Sequence, residues 1–238
     1  MTTLANLEKK VCSTNLISHI EANLIENYED FIQWTHNKII IAIGHIEAKR
    51  DLFCSANEEM ITSMIDAIIK SSESVALNHI TSNTEGHASG HCDLNISWGE
   101  YHWHGEAKIY KGPAYIYEGY RQLTERYYAG TSSYNYAGIL IYFQEPMIKK
   151  LTGYKNLLLE KKDDAQIEED IITGRPLYFN VKDNHPSTGL PMNIVHFPVN
   201  LDHQSREHQE AKKIVTLREQ ARQLNEEADR LELKSNPQ

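Results

Sequence analysis

The chain has 238 residues, 40% hydrophobic and 9% aromatic, which is enough for one large domain with a substantial core. Its formal net charge of −9 argues against tight, unaided, non-specific binding to nucleic acid, because phosphate affinity comes from Lys and Arg. Three widely spaced cysteines, Cys12, Cys54 and Cys92, suggest neither a disulfide framework nor a CxxC zinc site.

The N-terminal run MTTLANLEKKVC lacks the apolar stretch of a signal peptide, and apolar runs such as Ile39–Ile43 are too short to span a bilayer. A cytoplasmic protein with no membrane partner is therefore expected. Residues 14–52 are predicted mostly helical, with Leu16, Ile17, Ile20, Leu24, Phe31 and Ile32 near helical spacing. The segment CSANEEMITSMIDAIIKSS predicts a second helix, capped by Ser55 or Asn57, with Glu58 and Glu59 in its first turn. Ile61, Met64, Ile65 and Ile68 are expected to share its apolar face.

Residues 92–98 and 101–109 alternate apolar and polar side chains around Gly99-Glu100, as a β-hairpin does. A period of two places Glu106 and Lys108 on one face, and Asp93 on the polar face of the neighbouring strand. Gly112-Pro113 opens a helix predicted to run to about Ala129 and to end at Gly130, since proline suits the first helical position. Its tyrosines, Tyr115, Tyr117, Tyr120, Tyr127 and Tyr128, suit packing onto a sheet more than base stacking. The run YAGILIYF (136–143) predicts a buried central strand. Residues 144–162 are expected to be helical, EKKDDAQIEED to be a solvated charged stretch, and Leu177–Val181 and Asn193–Val199 to be two further strands. Ile214, Leu217, Ala221, Leu224, Ala228 and Leu231 then form a heptad seam in a strongly charged helix.

The chemistry concentrates on Asp93, twelve intervening residues, and Glu106-Ala107-Lys108. Two carboxylates on adjacent strands can ligate Mg²⁺ or Mn²⁺, which prefer oxygen ligands and keep several waters. The Ala107 carbonyl could add a ligand. Such a metal acidifies a water and neutralises charge on a scissile phosphate. Lys108 could position or deprotonate that water, or stabilise the transition state.

This pattern, GHCDLNI…YHWHGEAKIYKG followed by a helix with Gln122 and the strand YAGILIYF, resembles the PD-(D/E)XK nuclease superfamily over about residues 57–144. Cys92 stands where the superfamily name has proline. The resemblance implies an α/β, restriction-endonuclease-like core, a central mixed sheet flanked by helices, to which periodicity adds the N-terminal helices and the long C-terminal heptad helix. Together they divide the chain into an N-terminal helical region (1–56), a nuclease-like core with extra strands (57–202) and a coiled-coil-like C-terminal helix (203–238). The resemblance implies a Mg²⁺-dependent deoxyribonuclease with Asp93, Glu106 and Ala107 as metal ligands, Lys108 catalytic, and Glu58 and Gln122 supporting the site. Glu58 is chosen over Glu59 because it lies closer to the apolar face of its helix. The resemblance further implies a DNA substrate and an ATPase or sensor partner in bacterial restriction or anti-phage defence, while the seam suggests a homodimer or a docking helix. Two other outcomes are weighed: a degenerate, inactive nuclease fold acting as a scaffold, and a zinc site using His102 and His104, which are two apart on one strand and near His87 and His91.

Overall fold

The computed structural model describes residues 25–72, 80–83, 92–127, 135–169, 175–203, 210, 213–223 and 225. Cys12, Leu16, Ile17, Ile20, Leu24, His87, His91, Tyr128, Ala129, Gly130, Leu224, Ala228 and Leu231 lie outside the described residues.

Helix α1 (Tyr28–Ala48) starts at Asn27, whose side chain accepts the Asp30 N–H at 3.0 Å. A short helix α2 (Arg50–Phe53) follows. Helix α3 (Glu58–Ser72) starts at Asn57 rather than Ser55: the Asn57 side chain accepts the Met60 N–H at 2.8 Å. Its buried stripe is Ile61, Ile65 and Ile69, with Ile68 partly buried beside it, whereas Met64 is exposed. The expected apolar face is thus rotated away from Met64.

Strand β1 (Ile80–Asn83) pairs antiparallel with β2 (Leu94–Trp98) and was not anticipated from the sequence. The hairpin to β3 (Tyr101–Ile109) turns at Gly99, whose φ of +56° is the left-handed conformation that glycine supplies without steric cost. Helix α4 (Pro113–Gln122) begins with proline after Gly112 and continues into a π-helical turn, Leu123–Tyr127. Strand β4 (Tyr136–Phe143) is buried along nearly its whole length.

Helix α5 (Ile148–Lys161) starts only after Pro146-Met147, later than expected. The charged stretch after it contains a strand, β5 (Gln166–Glu169). Strand β6 spans Phe179–Asn184, shifted two residues later than expected, and β7 spans Pro191–Asn200.

The seven strands form one mixed sheet in the order β1-β2-β3-β4-β7-β6-β5. The central strands β3, β4 and β7 are parallel, and the outer pairs are antiparallel. One face packs against α1 and α3, joining Phe31, Ile43, Ile61 and Ile65 to Leu94, Trp103, Leu140 and Phe197. The other packs against α4 and α5, joining Ile116, Tyr120, Leu151 and Tyr154 to Ile139, Ile141 and Phe179. Burial on both faces explains the nearly continuous apolar run of β4. Tyr120 is fully buried and donates its hydroxyl to Asp183 at 2.8 Å, so it packs helix onto sheet.

Met1–Asp202 forms one compact unit and His203–Gln238 a second. Within the second, residues 213–223 are helical, with Ile214 and Leu217 exposed. Among the described residues, no helix is long and apolar enough to cross a membrane.

Candidate active site

The hairpin's alternation builds the site. Leu94 pairs with Gly105, so β3 extends past the start of β2 from Glu106 onward. Asp93 occupies that gap. Its Oδ2 accepts the Ala107 N–H at 2.8 Å. At the far end of β3, the Ile109 N–H is accepted by Glu58 Oε2 at 2.7 Å, which ties the first turn of α3 to the strand. Glu59 is exposed.

Lys108 gathers these carboxylates. Its Nζ bonds Glu106 Oε1 and lies 3.8 Å from both Asp93 Oδ2 and Glu58 Oε1. The side chains grade from buried to open: Glu106 is 3% exposed, Lys108 12%, Glu58 29% and Asp93 33%. The floor is therefore dry and the rim is wet.

That gradient sets the titration. Burial, then the nearby Asp93 charge, pushes the Glu106 carboxyl up to about 7, against the opposing pull of Lys108. Burial also raises Asp93, although the Ala107 N–H and Lys108 oppose it. Burial alone would lower Lys108, but the bond to Glu106 and the charges of Glu106, Asp93 and Glu58 outweigh it and hold the ammonium above its ordinary value.

Helix α4 closes the α4-facing side. A Cβ on Gly119 would stand 3.0 Å from Lys108 Cγ and 3.6 Å from Glu106 Cγ, so glycine lets the helix approach the site residues closely. Gly119 belongs to no motif in the sequence. A helical glycine facing a strand would have been the only signal. Gln122 lies one turn further along, half-buried, and its side chain makes no hydrogen bond among the described residues. The structure thus brings Glu58, Asp93, Glu106 and Lys108 together, and Gln122 makes no hydrogen bond to them.

Two observations test whether a divalent cation fits. Glu106 Oε2 is buried with no hydrogen-bond partner. Three carboxylates also face one ammonium, leaving two negative charges in excess if all ionise. Among the described residues, no group of three or more His, Cys, Asp or Glu is arranged as metal ligands. Mg²⁺ needs only one or two carboxylates with waters, so the orphaned oxygen and the charge excess carry more weight. Asp93, Glu106 and the Ala107 carbonyl are the groups that would hold such an ion.

His104 lies beside this cluster, its Nδ1 3.6 Å from Cys92 Sγ. Burial, reinforced by His102, lowers His104 to about 4, so it is neutral near pH 7. His102 is also lowered by burial. No family model, curated protein or solved structure matches the chain.

Proposed function

We propose that this chain is a metal-dependent nuclease with a restriction-endonuclease-like core that hydrolyses DNA phosphodiester bonds at the Glu58–Asp93–Glu106–Lys108 cluster. The observation that carries this is Lys108 converging on three carboxylates beside the orphaned Oε2 of Glu106. Mg²⁺ or Mn²⁺, when bound by Asp93, Glu106 and the Ala107 carbonyl, would supply Lewis acidity toward the phosphate and an acidified water. Lys108 keeps its proton near neutrality, so it acts as a donor. It orients the attacking water and steadies charge on the phosphoryl oxygens. Glu58 holds the end of β3 and the Lys108 ammonium in place.

The test is cleavage of plasmid DNA with Mg²⁺ or Mn²⁺. Lys108→Ala and Asp93→Ala should each lower the rate by about 10²–10³-fold, the usual cost of one preorganised electrostatic group. Unchanged cleavage in both variants sinks the assignment.

The acidic balance of the chain supports action beside a partner, and the resemblance to the PD-(D/E)XK superfamily extends the proposal to an effector subunit of bacterial restriction or anti-phage defence, working beside an ATPase or sensor. The purified chain should then cut weakly until that partner is present, and strong partner-independent cutting counts against it. One observation favours a second reading, a catalytically inactive scaffold. Lys108 already neutralises part of the cluster, as it would in a purely structural ion network. Absence of both metal binding and cleavage, with and without a partner, would establish that reading.

A further inference from the structure

Toward the same carboxyl ends of the parallel strands lies a cavity of about 440 Å³, bounded by Glu47, Arg50, Arg175, Tyr178, Pro198 and Asn200 among others. We propose that Arg50 and Arg175 in this cavity grip a backbone phosphate of the DNA strand presented to Lys108; the inference rests on the nuclease reading above.

The cavity is a built site. Glu47 accepts the Asn200 N–H on Oε1 at 2.9 Å and faces an Arg175 guanidinium nitrogen with Oε2 at 4.0 Å. Arg175 also lies over the Tyr178 ring, 5.7 Å from its centroid. Its fork is therefore oriented before any ligand arrives. Arg50 is exposed and has no ion-pair partner among the described residues. Two guanidiniums against one carboxylate leave a net positive charge on a chain whose formal charge is −9. Planar, permanently charged guanidiniums suit phosphate oxygens, which they can bind in pairs.

Register supplies the link to the site. Lys108 pairs with Ile141, and Ile141 pairs with Pro198, so Lys108 and Pro198 share one rung across β3, β4 and β7. Two steps between neighbouring strands separate their backbones by roughly 10 Å. That is far less than the roughly 34 Å of one duplex turn, so both sites can meet one short stretch of a single strand. Both sites lie toward the carboxyl ends of parallel strands, where open α/β sheets place ligands. The cavity explains how an acidic chain could hold an acidic polymer: the grip is local and lies beside the chemistry.

The experiment measures binding of a short labelled DNA duplex to the full-length Lys108→Ala protein in Ca²⁺ over a range of salt concentrations. Adding Arg50→Gln and Arg175→Gln should weaken binding about tenfold at physiological salt and flatten the slope of log K against log salt by about 0.9, the loss of one phosphate contact. Arg50→Lys with Arg175→Lys should restore the salt slope, which follows charge, but only part of the affinity, because an ammonium neither forks onto phosphate oxygens nor lies flat over Tyr178. Arg121→Gln, whose partners Glu118 and Glu125 already neutralise it, should change neither quantity. Equal melting temperatures among the variants exclude unfolding as the cause. An unchanged slope in the double glutamine variant overturns the proposal, as does the absence of any DNA binding by the Lys108→Ala protein at low salt. So does loss of inorganic phosphate binding with DNA affinity intact, which would make the cavity a free-anion site. The binding readout needs no turnover, so failure of plasmid cleavage by the parent chain bears on the nuclease reading alone.

Discussion

Glu106 is fully enclosed, yet it is a carboxylate beside two others, and its titration follows from that. Its folded value of about 7 lies above the ordinary 4.5. Below 4.5 both folded and unfolded chains carry the proton, and nothing is lost. Between 4.5 and about 7 the unfolded chain ionises first, so stability falls as pH rises; above about 7 the penalty is constant. In metal-free buffer the whole effect is on the order of 3 kcal/mol. Urea midpoints measured from about pH 4 to 8 should show this decline, and Glu106→Gln should flatten it. A parallel decline in the variant would assign the effect elsewhere. A divalent cation competes with the same proton, so apparent Mn²⁺ affinity should rise with pH through about 7.

Gly119 offers a second test at this scale. Alanine there gains roughly 0.5–1 kcal/mol of helix propensity but meets Lys108 Cγ at 3.0 Å. Melting should barely move while cleavage falls about tenfold, because the Lys108 stem must shift. Glu58, Asp93, Glu106 and Lys108 were legible in the sequence because strand parity and helix phase are local properties. Gly119 was not, since its role depends on which strand its helix covers.

At the scale of elements, the central hairpin and β4 were legible because their periodicity and turn residues agree. Strand β5 was hidden by its charges. It is an edge strand paired only with β6, and Glu168 is satisfied by Lys182 at 2.9 Å, so polar side chains cost it nothing. The packing of the hairpin against β4 also escaped the sequence. Gly105 and Gly138 face each other across β3 and β4, and the Trp103 indole covers both. A Cβ on Gly105 would stand 2.7 Å from that ring, and one on Gly138 would strike it and also stand 2.9 Å from Phe197. Gly138→Ala should therefore cost about 1–3 kcal/mol in urea unfolding, the usual penalty for overpacking a filled core. A neutral result would mean that Trp103 moves freely, which its full burial between the sheet and α1 argues against.

At the scale of the whole molecule, topology was the least legible feature. The chain leaves β4, forms α5, β5 and β6, and only then returns to lay β7 against β4. Local periodicity says nothing about such a return; it depends on two faces of β4 needing cover from distant segments. The C-terminal unit reverses the situation, since its heptad spacing is plain in the sequence while Ile214 and Leu217 are 50% and 55% exposed on the described helix. A homodimer through this seam, one of the two roles that the heptads suggest, makes a definite demand of those residues. Apolar side chains at seam positions drive association in proportion to the area they bury, and charge placed there opposes it. Sedimentation equilibrium of the full chain should move from 27.4 kDa toward twice that mass as concentration rises. Ile214→Asp with Leu217→Asp should hold the chain at the monomer mass without lowering the melting temperature of the Met1–Asp202 unit, whose core is its own. A full chain that stays monomeric throughout would end the homodimer and leave the seam to a different protein.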